Sequence, residues 1–263
     1  EQFALKVPDY SGAAARTLSE EEFLDLFRQE AGALLSLPSH KNLAGFVTFD
    51  AGARPKPLLV MELVEGPNLE RVIESRDLDM PRVMDLLLGI ASGLEAMHSV
   101  GVAHLDIKPS NVIARDADGL VGPAMPDAPV LVDFGLAGRQ LRPGCGTASY
   151  GAPEVWGHDY GSTGSATPAD VYAFGCLAYE LLTGETLFEE SNDLATITAH
   201  LTHDGLPARI GTMSQDPRTK GAAELVRRAI RRNSDDRVTM KELRVAIQAL
   251  TPGMSGLSWP LRA

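Results

Sequence analysis

The stretch His104-Leu105-Asp106-Ile107-Lys108-Pro109-Ser110-Asn111 sets an acid, a base and an amide two and three residues apart in an irregular loop. Phosphoryl transfer needs such a set: an aspartate to accept the attacking hydroxyl's proton, a lysine to offset charge on the moving phosphoryl group, and an asparagine oxygen to ligate magnesium. Taken alone, the same stretch is also an ordinary polar turn. Asp133-Phe134-Gly135 follows the apolar run Val130-Leu131-Val132, which sets a carboxylate at a strand end beside a flexible glycine. That carboxylate suits a second metal-facing position, although the tripeptide by itself is common in turns. Near the start, Lys6 sits inside the strand-like Phe3-Ala4-Leu5-Lys6-Val7, and Glu30 lies on the following helix at a position able to reach it.

The elements that must hold these residues change character along the chain. Ser19-Glu20-Glu21-Glu22 reads as a capping box opening a helix to about residue 37. Dense apolar and β-branched residues over 43–50 and 58–64 predict strands. From Asn68 onward the pattern turns helical: a short helix over 69–75, then a long one over 81–99 with proline in its first turn. The shift near Gly66 divides the chain into a small lobe, 1–65, and a larger one, 66–263. Within the larger part, short β-rich pieces occupy 102–151, and an apolar helix runs from Thr167 to about 182, with Gly184 placed to end it. Further amphipathic helices are expected over 193–203, 222–232 and 239–250. The loop 115–129, rich in Gly, Pro and Asp, reads as an exposed insertion.

The order of the pieces is more specific than any one of them. Lys6 and Glu30 are followed by the Asp106 loop, by Asp133-Phe134-Gly135, by Gly146-Thr147-Ala148-Ser149-Tyr150-Gly151-Ala152-Pro153-Glu154, and by Asp170-Val171-Tyr172-Ala173-Phe174-Gly175. This succession resembles the eukaryotic-type (Hanks-type) serine/threonine protein kinase domain, whose signature set has the same members in the same order. The resemblance runs from Lys6 to Arg237 and implies a two-lobed α+β fold with a small, partly β lobe and a larger, mainly α lobe. The alanine- and arginine-rich composition with short loops resembles bacterial members.

The resemblance implies roles residue by residue. Lys6 would hold the ATP α- and β-phosphates, oriented by an ion pair with Glu30, while Asp106 would be the base and Lys108 the phosphoryl-facing lysine. Asn111 and Asp133 would ligate Mg²⁺, and Thr147 would bond the base and line the acceptor site. Lysine two residues after the aspartate resembles the serine/threonine class. Met61 would be the gatekeeper of a hinge whose backbone at Glu62 and Val64 binds adenine, with Ala4 and Ile113 on either side of the purine. Leu34, Phe46, His104 and Phe134 would stack as an apolar spine, Glu154 and Arg237 would form a buried ion pair, and Asp170 would brace the catalytic loop.

Departures matter too. Only five residues precede Lys6, so no glycine-rich loop is present, and an abrupt start inside a strand reads as a cropped small lobe; these 263 residues are then expected to bind ATP weakly. Leu105 stands where an arginine is usual. Between Gly135 and Ala152 the only hydroxyl side chains are Thr147, Ser149 and Tyr150, close to the Ala-Pro-Glu end. Activation by a phosphate in the middle of this segment is therefore not expected. Cys145 reads as an unactivated thiol and Cys176 as helix core, while His158, His200 and His203 read as surface histidines without a metal pattern.

Net charge −11 and pI near 5.0 leave no basic patch for nucleic acid or an anionic membrane. No apolar run approaches the ~20 residues that span a bilayer. Two cysteines without metal spacing fit a reducing, cytoplasmic setting, any membrane anchor lying outside these residues. The expected partner is a protein with a serine or threonine acceptor; nothing bears on oligomeric state. Two other classes compete: a pseudokinase scaffold, supported by Leu105 and the missing loop but opposed by the joint presence of Lys6, Asp106, Asn111 and Asp133; and a small-molecule phosphotransferase of the kinase-like superfamily, which generally lacks the Ala-Pro-Glu segment and the Asp170 helix pattern.

Overall fold

Exposure alternates along β1 (Phe3–Lys6), as it must for a strand with one face turned inward. A computed structural model of the chain describes residues 2–8, 10, 19–54, 56–115, 128–141, 143–157 and 164–262. Strand β1 pairs antiparallel with β3 (Leu58–Glu62), which also pairs antiparallel with β2 (Phe46–Asp50), giving a three-stranded sheet in the order β1-β3-β2. Both predicted strands in this region are shorter than expected, and Leu43 makes only an isolated bridge to Leu131. Gly45, without a side chain, breaks the apolar run there and uses its backbone on Glu62 instead, donating to Oε2 and accepting from the amide.

Helix α1 (Glu20–Leu35) opens on the expected capping box: Glu22 N–H donates to Ser19 Oγ at 3.2 Å and Ser19 N–H to Glu22 Oε2 at 2.8 Å. Three acidic residues in its first turn complement the helix dipole. The helix buries Phe27, Glu30, Ala31 and Leu34, a single face by their spacing, and Phe27 meets Phe49 of β2 edge-on at 5.9 Å. Glu30 is the polar member of that buried face, so it needs a cation from the sheet.

Gly66 links this half to the next with φ +136°, and a Cβ there would stand 2.1 Å from the Ala114 carbonyl oxygen. Only glycine fits both the conformation and the approach. Beyond it come α2 (Leu69–Glu74) and α3 (Met80–Ser99), capped by Asn68 and Asp79. A short hairpin of β4 (Val112–Arg115) and β5 (Ala128–Leu131) follows. The middle of the expected insertion, 116–127, lies outside the described residues.

The core of the larger half is α4 (Thr167–Thr183), which is apolar on all sides and buried along nearly its whole length. A helix without a polar face has to be enclosed, and α3 and α7 (Lys220–Ala229) do so, with α8 (Met240–Met254) lying along α3. Gly184, in the left-handed conformation at φ 70°, ends α4 as expected. Between α4 and α7 lie α5 (Asp193–Thr202) and α6 (Ala208–Gln215), the second of which the sequence patterns did not reveal. The outcome is the expected two-lobed α+β architecture: a small strand-rich lobe and a larger helical one. No helix among the described residues is long and apolar enough to cross a membrane.

Candidate active site

Asp106 sits between the end of α3 and a single 3₁₀ turn (Pro109–Asn111), in backbone that no regular element supports. Leu105 takes φ 66°, a conformation that costs a bulky residue about 1–3 kcal/mol unless its surroundings over-determine it. Asp170, in the first turn of α4 and fully buried, supplies the constraint. One oxygen accepts from the His104 amide and the other from the Leu105 amide, both at 2.7 Å, and His98 Nε2 completes the set at 2.9 Å. A buried carboxylate with three donors is satisfied, and it anchors the strained loop to the enclosed helix α4.

On this platform the Asp106 carboxylate gathers three side chains. Thr147 Oγ1 donates to Oδ1 at 2.9 Å, Lys108 Nζ lies 2.8 Å from Oδ2, and Asn111 Nδ2 donates to Oδ2 at 2.9 Å and to the Asp106 carbonyl at 2.8 Å. Thr147 bridges the group, since Lys108 Nζ also donates to its hydroxyl at 3.1 Å. Partial burial would push the Asp106 pKa up, but the bonds from Lys108, Thr147 and Asn111 outweigh it and hold the carboxyl below its ordinary range. Both Nδ2 hydrogens of Asn111 are committed, so its side-chain oxygen is the atom it would offer to a cation. Gly146, Tyr150 and Ala152 wall a small cavity beside Asp106 and Thr147.

A second group assembles across the lobes. Lys6 Nζ lies 2.6 Å from Glu30 Oε1, which is the cation that buried Glu30 requires, and 3.3 Å from Asp133 Oδ1. Asp133 has φ 56° and a half-exposed carboxylate, so its oxygens remain open to solvent or ligand. A Cβ on Gly135 would come within 2.7 Å of Lys6 Nζ, so a larger residue there would press on the end of that side chain. Phe134 is fully buried and its ring lies 5.2 Å from that of His104, whose Nε2 donates to the Val132 carbonyl. Burial lowers the His104 pKa, so this ring is a neutral spacer.

The residues expected to form the hinge lie at and just beyond the end of β3. Met61 is buried opposite Ala4 in the sheet register; Glu62 and Val64 are half-buried, and so are Ala4 and Ile113. The Glu62 side chain is engaged by Arg115 at 2.5 Å and by the Gly45 amide at 2.9 Å, and its own amide donates to the Gly45 carbonyl. The oxygen-only donors at Asn111 and Asp133 have the chemistry of a hard divalent cation that keeps most of its ligands from water and phosphate.

Other expected residues divide. Glu154 and Arg237 are paired at 2.5 and 2.8 Å; Cys145 is exposed and Cys176 buried. His158 lies outside the described residues. The expectation for His200 and His203 is corrected: His200 is fully buried and His203 half-buried, both bonded to Tyr172. Residues 196, 200 and 203 fall on one helical face, a spacing that could have indicated an inward side.

A sequence model of the protein kinase domain matches residues 1–246. The chain is 38% identical over 211 residues to the serine/threonine-protein kinase PknL of Mycobacterium bovis, covering 76% of this chain and 47% of that protein. It is 32% identical over 204 residues to PkaA of Streptomyces coelicolor, also named a serine/threonine-protein kinase, covering 74% of this chain and 34% of that protein. To the serine/threonine-protein kinase pkn3 of Myxococcus xanthus it is 31% identical over 241 residues, covering 86% of this chain and 41% of that protein. The chain thus spans less than half the length of these relatives.

Proposed function

Because the chain belongs to the protein kinase family, we propose that this protein transfers the γ-phosphate of ATP to a serine or threonine hydroxyl of a protein substrate, with Mg²⁺ as the metal. The observation that supports this most is the set of three side chains on the Asp106 carboxylate, which holds an ionised acceptor beside the cavity at Thr147. In the reaction the substrate oxygen forms a bond to the γ-phosphorus, the bond to the β-bridging oxygen breaks, and ADP leaves. The hydroxyl proton passes to Asp106, and Lys108 offsets charge on the moving phosphoryl group. Asn111 and Asp133 would hold Mg²⁺ through oxygen, and the ion would supply charge neutralisation to the phosphates.

Lys6, oriented by Glu30, carries the α- and β-phosphates. Adenine lies against the backbone of Glu62 and Val64, between Ala4 and Ile113 and in front of Met61, with lobes 1–65 and 66–263 on either side. A cytoplasmic setting belongs to the same reading, since the proposed use of ATP and Mg²⁺ fits one. Acceptor profiling of the full-length protein tests the reading: a serine-containing protein is expected to be labelled, whereas aminoglycosides and choline are not. Labelling of the small molecules alone would reverse the assignment.

The same reading carries a regulatory expectation. The half-buried Leu105 packs against the core in place of a cation. Two of the three hydroxyls near the Ala-Pro-Glu end are already engaged, Thr147 by Asp106 and Tyr150 by Glu180 at 2.5 Å. Burial, then the neighbouring Glu180 carboxylate, pushes the Tyr150 pKa far up, so its phenol stays a donor. Treating the full-length protein with phosphatase is expected to leave its initial rate unchanged. A large drop that tracks loss of a phosphate between Leu136 and Thr147 would show a switch of the usual kind.

A further inference from the structure

Helix α5 turns Thr196 and His200 inward, and His203 caps its C-terminal end on the same side. Facing them is Tyr172, fully buried in α4, whose hydroxyl lies 2.9 Å from His200 Nδ1 and 3.1 Å from His203 Nε2. The direction of each bond follows from the groups at the ends. The Gly205 amide donates to His203 Nδ1 at 3.0 Å, so that nitrogen is bare and the ring proton is on Nε2. His203 Nε2–H therefore donates to the Tyr172 oxygen, and Tyr172 passes its own hydrogen to His200 Nδ1. This puts the His200 proton on Nε2.

That last N–H has no partner in ordinary hydrogen-bond geometry, and the polar group beside the ring is the backbone carbonyl of Ser149. Phe188 stands edge-on to His200 at 4.7 Å and closes the other side. Ser149 belongs to the turn 147–151, in which the Tyr150 and Gly151 amides both donate to the Thr147 carbonyl at 3.0 and 2.9 Å. Thr147 in turn contacts Asp106.

We propose that His203, Tyr172 and His200 form a one-directional hydrogen-bond relay that ends beside the Ser149 carbonyl, steadies the turn 147–151 there and so sets the approach of the protein acceptor. This inference rests on the kinase reading. The three are positioning residues, since none lies at Asp106. Both rings must stay neutral, because a protonated His200 could not accept from Tyr172. Burial pushes each down to about 4; His203 further disfavours charge on His200, and Arg232 and Arg237 disfavour it on His203, against Asp204 and the Ser149 carbonyl.

Two measurements on the full-length protein test the relay. With ¹⁵N-labelled histidine at pH 7, both rings are expected as neutral Nε2–H tautomers; an Nδ1–H tautomer or a charged ring at either position overturns the proposal. The second compares His203→Leu, which removes the donor, with His203→Gln, which keeps an N–H near the Nε2 position. His203→Leu is expected to raise KM for a synthetic serine peptide by about tenfold, the usual cost of one hydrogen bond, with KM for ATP unchanged and faster amide exchange at Tyr150 and Gly151. His203→Gln should restore both. Equal rises in the two KM values, or unchanged exchange in His203→Leu, would overturn the relay. If no peptide is phosphorylated even by the unaltered protein, the kinase reading fails separately, while tautomers and exchange still decide the relay.

Discussion

Asp106→Asn in the full-length protein is expected to lower phosphoryl transfer by about 10²–10⁴-fold with nucleotide affinity nearly unchanged. The amide can still accept from Thr147 through its oxygen, but it cannot take a proton and it turns an N–H₂ toward Lys108 and Asn111, which are themselves donors. The nucleotide contacts proposed for Lys6, Glu62 and Val64 lie elsewhere, so titration with ATP should still saturate. Near-normal turnover in Asp106→Asn would remove the base from the account. The depressed pKa adds a sign: Asp106 remains a carboxylate through neutral pH, so its acid limb in kcat/KM falls below the ordinary aspartate range. For stability the depression contributes above the unfolded pKa and is lost as pH falls through the folded one.

Arg237→Leu is expected to destabilise the domain by about 3–5 kcal/mol, the range for breaking a buried pair from one side. All five guanidinium hydrogens have acceptors: Nε the Arg231 carbonyl at 2.6 Å, Nη1 Glu154 at 2.5 Å and the Pro168 carbonyl at 2.8 Å, Nη2 Glu154 at 2.8 Å and the Arg232 carbonyl at 3.0 Å. The side chain is fully buried and its guanidinium lies 5.0 Å from the centre of the Tyr172 ring. Leucine would leave the nearly buried Glu154 carboxylate without its cation and would remove one donor from each of three backbone carbonyls. Arg237→Lys should recover only part of the loss, because an ammonium cannot reproduce the planar fork. Denaturant unfolding of both variants measures this, and a midpoint unchanged in Arg237→Leu would contradict it.

The two predictions mark how far the sequence could be read. Asp106, Lys108 and Asn111 are near neighbours in the chain, so spacing alone suggested their chemistry, and the capping box at Ser19 announced α1, whereas α8 was legible only as an amphipathic stripe. The pairing of Lys6 with Glu30, or Arg237 with Glu154, spans too much chain for spacing to reveal; only the order of motifs pointed to it. Three of the acceptors of Arg237 are backbone carbonyls, which carry no sequence signal at all.

The misses have local causes. Helix α6 begins on Pro207 without a side-chain cap and buries only Ile210 and Met213, too weak a stripe to stand out. Helix α8 continues through Pro252 to Met254, past the point where proline normally stops a helix. His200 and His203 looked like surface residues because histidine, intermediate in burial, carries no inward signal of its own, whereas Tyr172 gives each ring a buried partner.

The most direct test of the account uses γ-labelled ATP, Mg²⁺, a generic protein acceptor and the full-length protein, followed by acid hydrolysis and separation of the phosphorylated amino acids. Label is expected in phosphoserine or phosphothreonine and is expected to be nearly lost in Asp106→Asn. Label confined to phosphotyrosine, or equal labelling by the Asp106→Asn variant, would contradict the central claim.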